Sequence, residues 1–504
     1  MPRGEARMML QPVCLITPPS TFLMDERVFM SLGILRIAAV LENARIPVEH
    51  LDLSGITNFE DALRAHASRT DAKVFGITAT TPQMPATTKI AKAIRQVRPD
   101  ARILLGGPHV TLVAAAQKLE QKKGIEGRAC RAFDALAGQF DVLVAGDGEE
   151  AIFLALDPYP GAYIDADDAT SDLFLTNARY ETVPFPARHL VDVPSYHYTI
   201  DGVPALSMIA QLGCPFACGF CGGRESSMLR RIRKRSTSSV VAEIFHLHET
   251  YGMTGIMLYD DELNVNPQMV PMMHAIADLG ERLGVDWHLR GFIKAELFNE
   301  EQAAAMARAG FRWILVGFES GSPRILTNIN KKSTRDENTR CLRIAHAHGL
   351  KVKALMSIGH PGESEETVAE TKRWLLEEKP DDFDCTVIAC YPGTPYYDHA
   401  EETSRDVWTY TYPKTGDKLH ALNVDYSLIE DAYKGMPGEY HAFVYTDHLT
   451  PEDLVRLRDD LEYEVRERLN IPFNAGAPGK RFEASMGQLP GYMLRRSERA
   501  IPCA

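Results

Sequence analysis

Short apolar runs alternate with stretches of helical period along most of the chain. In the first part they fall at 13–17, 48–53, 74–78, 102–105 and 141–144, and each predicts a buried strand. Leucines and alanines at helical period predict helices over 29–45 and 87–96. This alternation predicts a doubly wound, Rossmann-like parallel sheet of α/β class over residues 1–164. A second series begins at Ala205, with strands expected at 206–211, 255–259, 286–292, 313–318, 352–358 and 384–389. Its helices are expected at 239–251, 268–283, 299–309, 336–348 and 365–378. Six such units over 205–400 predict a partial (β/α)6 barrel that works at its C-terminal mouth.

Residues 165–204 are proline-rich and acidic and predict a linker. Beyond 400 the pattern weakens, and 401–504 is expected to form a small α-rich cap. Its one clear helix, over 449–469, opens on Thr450, Pro451 and Glu452. The aromatic stretch 408–445 is expected to be irregular, covering a barrel mouth or forming a satellite core. The tail from Asn474 is expected to be loop.

Composition narrows the picture. With 504 residues, 45% hydrophobic and 24% charged, the chain predicts a globular protein of two or three domains. A net charge of −13 argues against a nucleic-acid partner. The absence of any long apolar run argues against a membrane partner, and the N-terminus lacks a secretory apolar region. Six of the nine cysteines are scattered singly, which is not a disulfide framework, and a cytoplasmic location is expected.

The other three cysteines change the argument. Cys214, Cys218 and Cys221 lie in one Gly- and Pro-rich loop, as C-x3-C-x2-C, just after the first barrel strand. Three soft ligands without a nearby histidine suit an iron–sulfur cluster that keeps one iron open to a small molecule. A structural zinc would want a fourth protein ligand, and none follows nearby.

The strand ends of the first domain carry Thr78 and Thr80; Gly106, Gly107 and His109; and Gly146, Gly148 and Glu149. Glycine lets backbone approach a large ligand, and hydroxyls can bond its polar groups, so these ends predict a ligand face. His109 is either a contact on that face or a satisfied structural histidine.

The cysteine loop, with Phe220 before its last cysteine, resembles the signature of radical S-adenosylmethionine (SAM) enzymes. The likeness continues through Tyr259-Asp260-Asp261-Glu262, Gly317-Phe318-Glu319-Ser320-Gly321, the stretch from Ser357 to Glu363, and Tyr391-Pro392-Gly393. The first domain resembles the cobalamin-binding Rossmann domain that precedes this barrel in cobalamin-dependent radical SAM enzymes, through the motif Ser31-Leu32-Gly33 and the glycine strand ends.

The resemblance implies a 4Fe–4S cluster on Cys214, Cys218 and Cys221, with SAM chelating the open iron. SAM contacts are implied at Phe220, Asp260, Asp261, Glu319, Ser320, Ser357 and Gly393. For each acid the alternative is a cap on a following helix. Cobalamin contacts are implied at Pro19, Leu32, Gly33, Thr78, Thr80, Gly106, Gly107, His109, Gly146, Gly148 and Glu149. The implied activity is methyl transfer from SAM, through methylcobalamin, to an unactivated carbon of a small-molecule natural product by way of a 5′-deoxyadenosyl radical. Cyclisation, ring contraction or oxidation without net methyl transfer is the alternative, and a non-catalytic cobalamin binder a third. A flavodoxin- or ferredoxin-type electron donor is the expected partner.

Asp286-Trp287-His288-Leu289-Arg290-Gly291 fits D-x-H-x-x-G, a pattern that supplies histidine to cobalt, but it lies on the third barrel strand and is set aside. The basic run 230–235 is either a solvated face or a contact to cobalamin, an acidic substrate or the electron donor. Cys385 and Cys390 are expected to be buried hydrophobes rather than catalytic groups.

Overall fold

The computed structural model describes residues 12–472 apart from 22, 24–25, 427 and 430–440. Cys503 and the tail from Asn474 lie outside the described residues.

The first unit runs β1 (Val13–Thr17), α1 (Leu32–Asn43), β2 (Val48–Asp52), α2 (Phe59–Ala67), β3 (Val74–Thr78) and α3 (Met84–Val97). It continues through β4 (Arg102–Gly106), α4 (Pro108–Lys122), α5 (Arg128–Ala137), β5 (Val142–Gly146), α6 (Gly148–Ala155) and β6 (Tyr163–Ala166). The strands form one sheet in the order β2-β1-β3-β4-β5-β6, and every pair in it is parallel. Both faces are covered by helices, so the strands alternate between two cores rather than between core and water. In β1, Val13 and Leu15 face α1 and α6, while Cys14 and Ile16 belong to the core shared with α2, α3 and α4.

The residues expected as a linker are folded. β6 occupies their start, α7 (Asn177–Thr182) follows, and Arg188 forms a buried ion pair with Glu243 at 2.8 Å.

The second unit opens with β7 (Thr199–Ile200), β8 (Val203–Met208), β9 (Gln211–Leu212), α8 (Ser227–Arg230), β10 (Arg233–Lys234) and α9 (Thr237–Tyr251). Then come β11 (Gly255–Leu258), α10 (Met269–Leu283), β12 (His288–Ile293), α11 (Glu300–Ala309), β13 (Phe311–Glu319), α12 (Pro323–Asn328) and α13 (Arg335–Ala347). β14 (Lys351–Ile358), α14 (Glu365–Glu378) and β15 (Asp382–Val387) complete it. The sheet order β15-β14-β13-β12-β11-β8-β7 gives six parallel strands, with the short β7 antiparallel at one edge. This is an open half-barrel of (β/α)6 type. Its hollow side is lined by Tyr198, Met257, Phe292, Trp313 and Leu315, joined by Phe29 from the first unit.

The C-terminal segment differs from the expectation of irregular, α-rich chain. After α15 (Pro395–Asp398), strands β16 (Glu401–Ser404), β17 (Val407–Thr411), β18 (Lys418–Leu422) and β19 (Val444–Thr446) form an antiparallel sheet. Period-two alternation in short polar strands is a weak sequence signal, which is why the stretch read as irregular. α16 (Pro451–Leu469) then lies along β15. Glu462 accepts from the Cys385 backbone N–H at 2.6 Å, Arg458 donates to the Cys385 carbonyl at 2.9 Å, and Arg466 donates to the Phe383 carbonyl. The helix thus satisfies edge groups that a seventh parallel strand would otherwise pair.

Gly146 shows how tightly the first sheet is drawn at its ligand end. Its φ is +90°, and an added Cβ would sit 2.3 Å from the Ala166 carbonyl carbon and from the Asp167 nitrogen. Both are backbone atoms and cannot step aside. Gly146→Ala should therefore destabilise the protein by about 2–4 kcal/mol, combining overpacking with a strained φ, as urea unfolding would measure.

Candidate functional site

The cysteine loop, residues 213–232, is an excursion closed at its neck by β9 pairing antiparallel with β10. At the neck Gly213 has φ +90°, and a Cβ there would lie 2.1 Å from the Arg231 carbonyl oxygen, so only glycine fits. The loop is pinned from several directions. Cys214 N–H donates to Leu229 O (3.0 Å), Gly219 N–H to Ile329 O (2.8 Å), and Gly223 N–H to Gly393 O (2.7 Å). Asn330 Nδ2 donates to Ala217 O at 3.0 Å. Cys218 is buried, and Cys214 and Cys221 are partly so. Burial pushes all three thiols up, Cys221 to about 12, so ligation must displace protons.

The donor set fits an iron–sulfur cluster. Among the described residues, the three Cys, His or carboxylate groups whose ligand atoms all lie within 4.8 Å of one another are Cys14, Glu49 and His66. Within the loop, Cys214 and Cys218 both lie near enough to act electrostatically on Cys221, as thiols that share one cluster must. Gly219 and Gly222 leave the loop without side chains where it meets Tyr396, Tyr391 and Leu112. Arg224, buried, places Nη2 at 3.7 Å from Cys221 Sγ, a positive group beside the thiolate that ligation would create.

Beneath the loop lies a buried ionic floor. Lys331 pairs with Glu319 at 2.8 Å, and Lys294 pairs with Glu296 at 2.6 Å and stands 4.1 Å over the Phe216 ring. Ser357 Oγ donates to Glu319 Oε2 at 2.8 Å and is also 2.8 Å from His360 Nε2. Phe220 packs edge-on to His360, with centroids 5.3 Å apart. Burial works against charge on Glu319, yet Lys331 and the Ser357 hydroxyl hold its carboxyl below the ordinary carboxylate range. Burial keeps His360 neutral, its pKa lowered to about 4, and pushes Glu262 up to about 7. Glu319 sits at φ +65° where the β13–β14 register shifts, a strained conformation for a non-glycine residue.

The expected SAM residues divide. Glu319, Ser357 and Phe220 come together on this floor. Asp261 accepts from Gly213 N–H at 2.9 Å, at the neck of the loop. Asp260 is buried and spends one oxygen on the backbone N–H groups of Ala210 and Gln211; Ser320 is buried against Thr371 and Ser322. Gly393 N–H donates to Asp398 at 3.0 Å. Lys294, Lys331, Glu262, His360 and Arg224 were not foreseen. Glu262 and His360 stood inside the quoted motifs, whereas a lone lysine or arginine in sequence defaults to solvent.

The cobalamin-side residues divide in the same way. Gly33 has no heavy atom within 4 Å of an added Cβ, and Gly106 only Val144 O at 3.9 Å, so space is open over both. Thr78 and Thr80 are at least partly exposed at the same end of the sheet, while Pro19 and Leu32 are buried there. That open, hydroxyl-edged end fits a large planar group. His109 is instead buried, bonded to Thr81 at 3.0 Å and lowered to about 4 by burial. Gly107 packs on Thr78 and Ala79, Gly148 on Ile37, and Glu149 pairs with Arg36 at 3.5 Å.

The basic run is divided: Arg231 is exposed and Arg230 and Lys234 are half-buried, so part of it is a solvated face, while Arg233 and Arg235 are tied into the fold. Arg233 is buried in an ion pair with Asp147, the residue between Gly146 and Gly148, and Arg235 pairs with Glu243. Asp167 accepts from Ser226 Oγ and Met228 N–H, both at 2.7 Å. These bonds clamp the first unit onto the cysteine loop. Leu112 of α4 completes the join: a Cβ on Gly222 or on Gly393 would lie 3.0 Å from its Cδ2. His288 lies at the start of β12, 3.6 Å from Asp286, with no part in the ligand face. Cys385 and Cys390 are buried.

A family model of the radical SAM superfamily matches residues 208–375, and one of the B12 binding domain matches residues 26–137. An uncharacterized methyltransferase of Pyrococcus horikoshii is 30% identical over 349 residues, covering 66% of this chain and 70% of that protein. The anaerobic magnesium-protoporphyrin IX monomethyl ester cyclase of Cereibacter sphaeroides is 25% identical over 355 residues, 68% of this chain but 55% of the cyclase. Among solved structures, the radical SAM methyltransferase TsrM from Kitasatospora setae, with cobalamin and a [4Fe–4S] cluster bound, superposes with a TM-score of 0.60. That match has 18% identity and covers 80% of this chain and 81% of TsrM, so it speaks to the fold.

Proposed function

The chain belongs to the cobalamin-dependent radical SAM enzymes, and on that premise we propose that it transfers a methyl group from SAM to an unactivated carbon of a small-molecule substrate. The observation that carries this reading is the packing of Leu112 on Gly222 and Gly393, which sets the open strand ends of the Rossmann sheet against the cysteine loop. When bound, the cluster supplies an electron for SAM cleavage and cobalamin supplies a methyl carrier. The chain supplies placement. Cys214, Cys218 and Cys221 hold the cluster, and Arg224, Lys294 and Lys331 set positive charge against its thiolates. Asp261 and Glu262 offer acceptors to the SAM ammonium, and Glu319, held by Lys331 and Ser357, fixes the polar wall beside them. On the other side Gly33, Thr78, Thr80 and Gly106 present the surface for cobalamin, with Pro19 and Leu32 buried at its edge. Gly107, Gly146, Gly148, His109 and Glu149 shape that surface from beneath.

Tyr198, Phe29, Tyr259 and Phe292 form an aromatic row on the hollow side of the barrel, with successive ring centroids 4.6, 5.1 and 5.8 Å apart and Tyr259 as its exposed member. Cyclisation without net methyl transfer is the second reading, favoured by the likeness to the Cereibacter cyclase. The name of that relative gives a small-molecule substrate, which supports the substrate class proposed.

The test is cofactor loading followed by incubation with SAM and reductant. Protein reconstituted without oxygen should retain about one cluster and one cobalamin per chain and form S-adenosylhomocysteine. A preparation that holds the cluster but retains no cobalamin, or forms no S-adenosylhomocysteine when both are bound, overturns the proposal.

A further inference from the structure

The amino end of the Rossmann sheet carries a ligand set that the proposed chemistry does not use. Cys14 is the second residue of β1 and Glu49 the second of β2. They are register partners in a parallel pair, so their side chains leave the same face side by side. His66, in the last turn of α2, comes down on that face. Cys14 Sγ stands 3.6 Å from His66 Nε2, and Glu49 Oε2 stands 2.9 Å from the same nitrogen. All three ligand atoms lie within 4.8 Å of one another.

Two chemistries use cysteine, histidine and a carboxylate together. A nucleophilic relay needs the acid on the imidazole nitrogen opposite the thiol. Here thiol and carboxylate converge on one nitrogen, which is the arrangement of ligands around a common ion. With zinc about 2.3 Å from sulfur and about 2.0–2.1 Å from nitrogen, a tetrahedral angle separates the two ligands by about 3.6 Å. The Cys14–His66 distance has that value, while the His66–Glu49 distance of 2.9 Å is that of a hydrogen bond and would open to about 3.3 Å around the ion. Thr70 Oγ1 donates to Glu49 Oε2 at 2.6 Å and accepts from Ala72 N–H at 3.0 Å, which orients the carboxylate as outer partners of metal ligands do. Cys14 is fully buried, while the Glu49 and His66 side chains keep 31% and 22% of their exposure, so an ion can enter from that side.

We propose that Cys14, Glu49 and His66 bind a divalent ion of zinc type, with water in the fourth position. One sulfur, one nitrogen and one oxygen donor suit zinc better than magnesium or calcium, which take oxygen ligands. The site ties β1, β2 and α2 together at the end of the sheet opposite Thr17 and Thr78. It is independent of the methyl-transfer reading.

The test uses full-length protein with its cluster reconstituted, incubated with one equivalent of Zn²⁺, desalted, and assayed for zinc by plasma mass spectrometry. About one zinc per chain should remain, and zinc should raise the melting temperature. Cys14→Ser and His66→Ala should each weaken retention by about 100-fold or more. Glu49→Gln, at a partly exposed position where folding is not in question, should weaken it by about 10-fold or more. The Cys214→Ala/Cys218→Ala/Cys221→Ala protein should still bind zinc. The proposal is overturned if the wild type keeps no zinc, if Cys14→Ser, His66→Ala and Glu49→Gln keep as much as the wild type, or if zinc is lost with the loop cysteines.

Discussion

Cys218→Ala should abolish the iron–sulfur chromophore and lower reductive SAM cleavage by about 10³-fold or more, a loss of at least ~4 kcal/mol in barrier terms. The size follows from the donor count. The loop offers three thiolates for a cluster, with none to spare, and the remaining described cysteines lie elsewhere in buried positions, Cys341 at 0% exposure and Cys385 at 1%. The fold should tolerate the change. The backbone bond from Gly219 to Ile329 and the neck of the loop do not involve the thiol. Circular dichroism and melting temperature should therefore stay near those of the apo wild type, while bound iron and sulfide fall. Cys130→Ala, in α5, should leave both unchanged. A Cys218→Ala protein with a full complement of iron and sulfide would remove the cluster from this loop.

Lys331→Met should cost about 3–5 kcal/mol of stability, because it strands Glu319 as a buried carboxylate without its cation. Both partners are nearly inaccessible, with side-chain exposures of 6% and 11%, so solvent cannot compensate. The double change Lys331→Met/Glu319→Gln should recover much of that loss, since the amide can keep the Ser357 hydrogen bond without a charge. The two proteins should also differ in their response to pH. In the wild type the Glu319 carboxyl is held below its ordinary range, so its contribution is complete above the unfolded carboxylate pKa of about 4.3 and fades as pH falls through the lower folded value. In Lys331→Met, burial is opposed mainly by the Ser357 hydroxyl, without the stronger pull of the lysine. The carboxyl then takes a proton at higher pH, and the deficit should shrink as pH falls toward 5. Equal urea midpoints for Lys331→Met and wild type at neutral pH would show that the pair does not hold the floor together.

Much of the architecture was legible because the chain repeats one device. β1 and β3 fall on their predicted residues, and the six barrel strands lie within a few residues of theirs, since each is an apolar run bounded by a helix of clear period. Ligand-end glycines were legible as a class but not by role. Gly33 and Gly106 face open space while Gly107, Gly146 and Gly148 pack against neighbours, and sequence does not distinguish a glycine kept for a ligand from one kept for a close strand. Long-range pairing was hidden altogether. Asp147 and Arg233 are 86 positions apart, and nothing local in the run 230–235 marks Arg233 as the buried one. Lys294 and Lys331 stayed invisible for a related reason: burial that depends on Glu296 and Glu319 is a property of the assembled half-barrel. Asp260 and Ser320 show the converse, strand-end polar groups turned back onto the fold itself.

The most direct test of the central claim uses protein loaded anaerobically with cluster and cobalamin, reductant, SAM deuterated at its methyl group, and a panel of small-molecule substrates analysed by mass spectrometry. The account predicts a product carrying the deuterated methyl, with S-adenosylhomocysteine and 5′-deoxyadenosine both accumulating, and no product when cobalamin is omitted. A converted substrate with no deuterium, accompanied by 5′-deoxyadenosine alone, would contradict it.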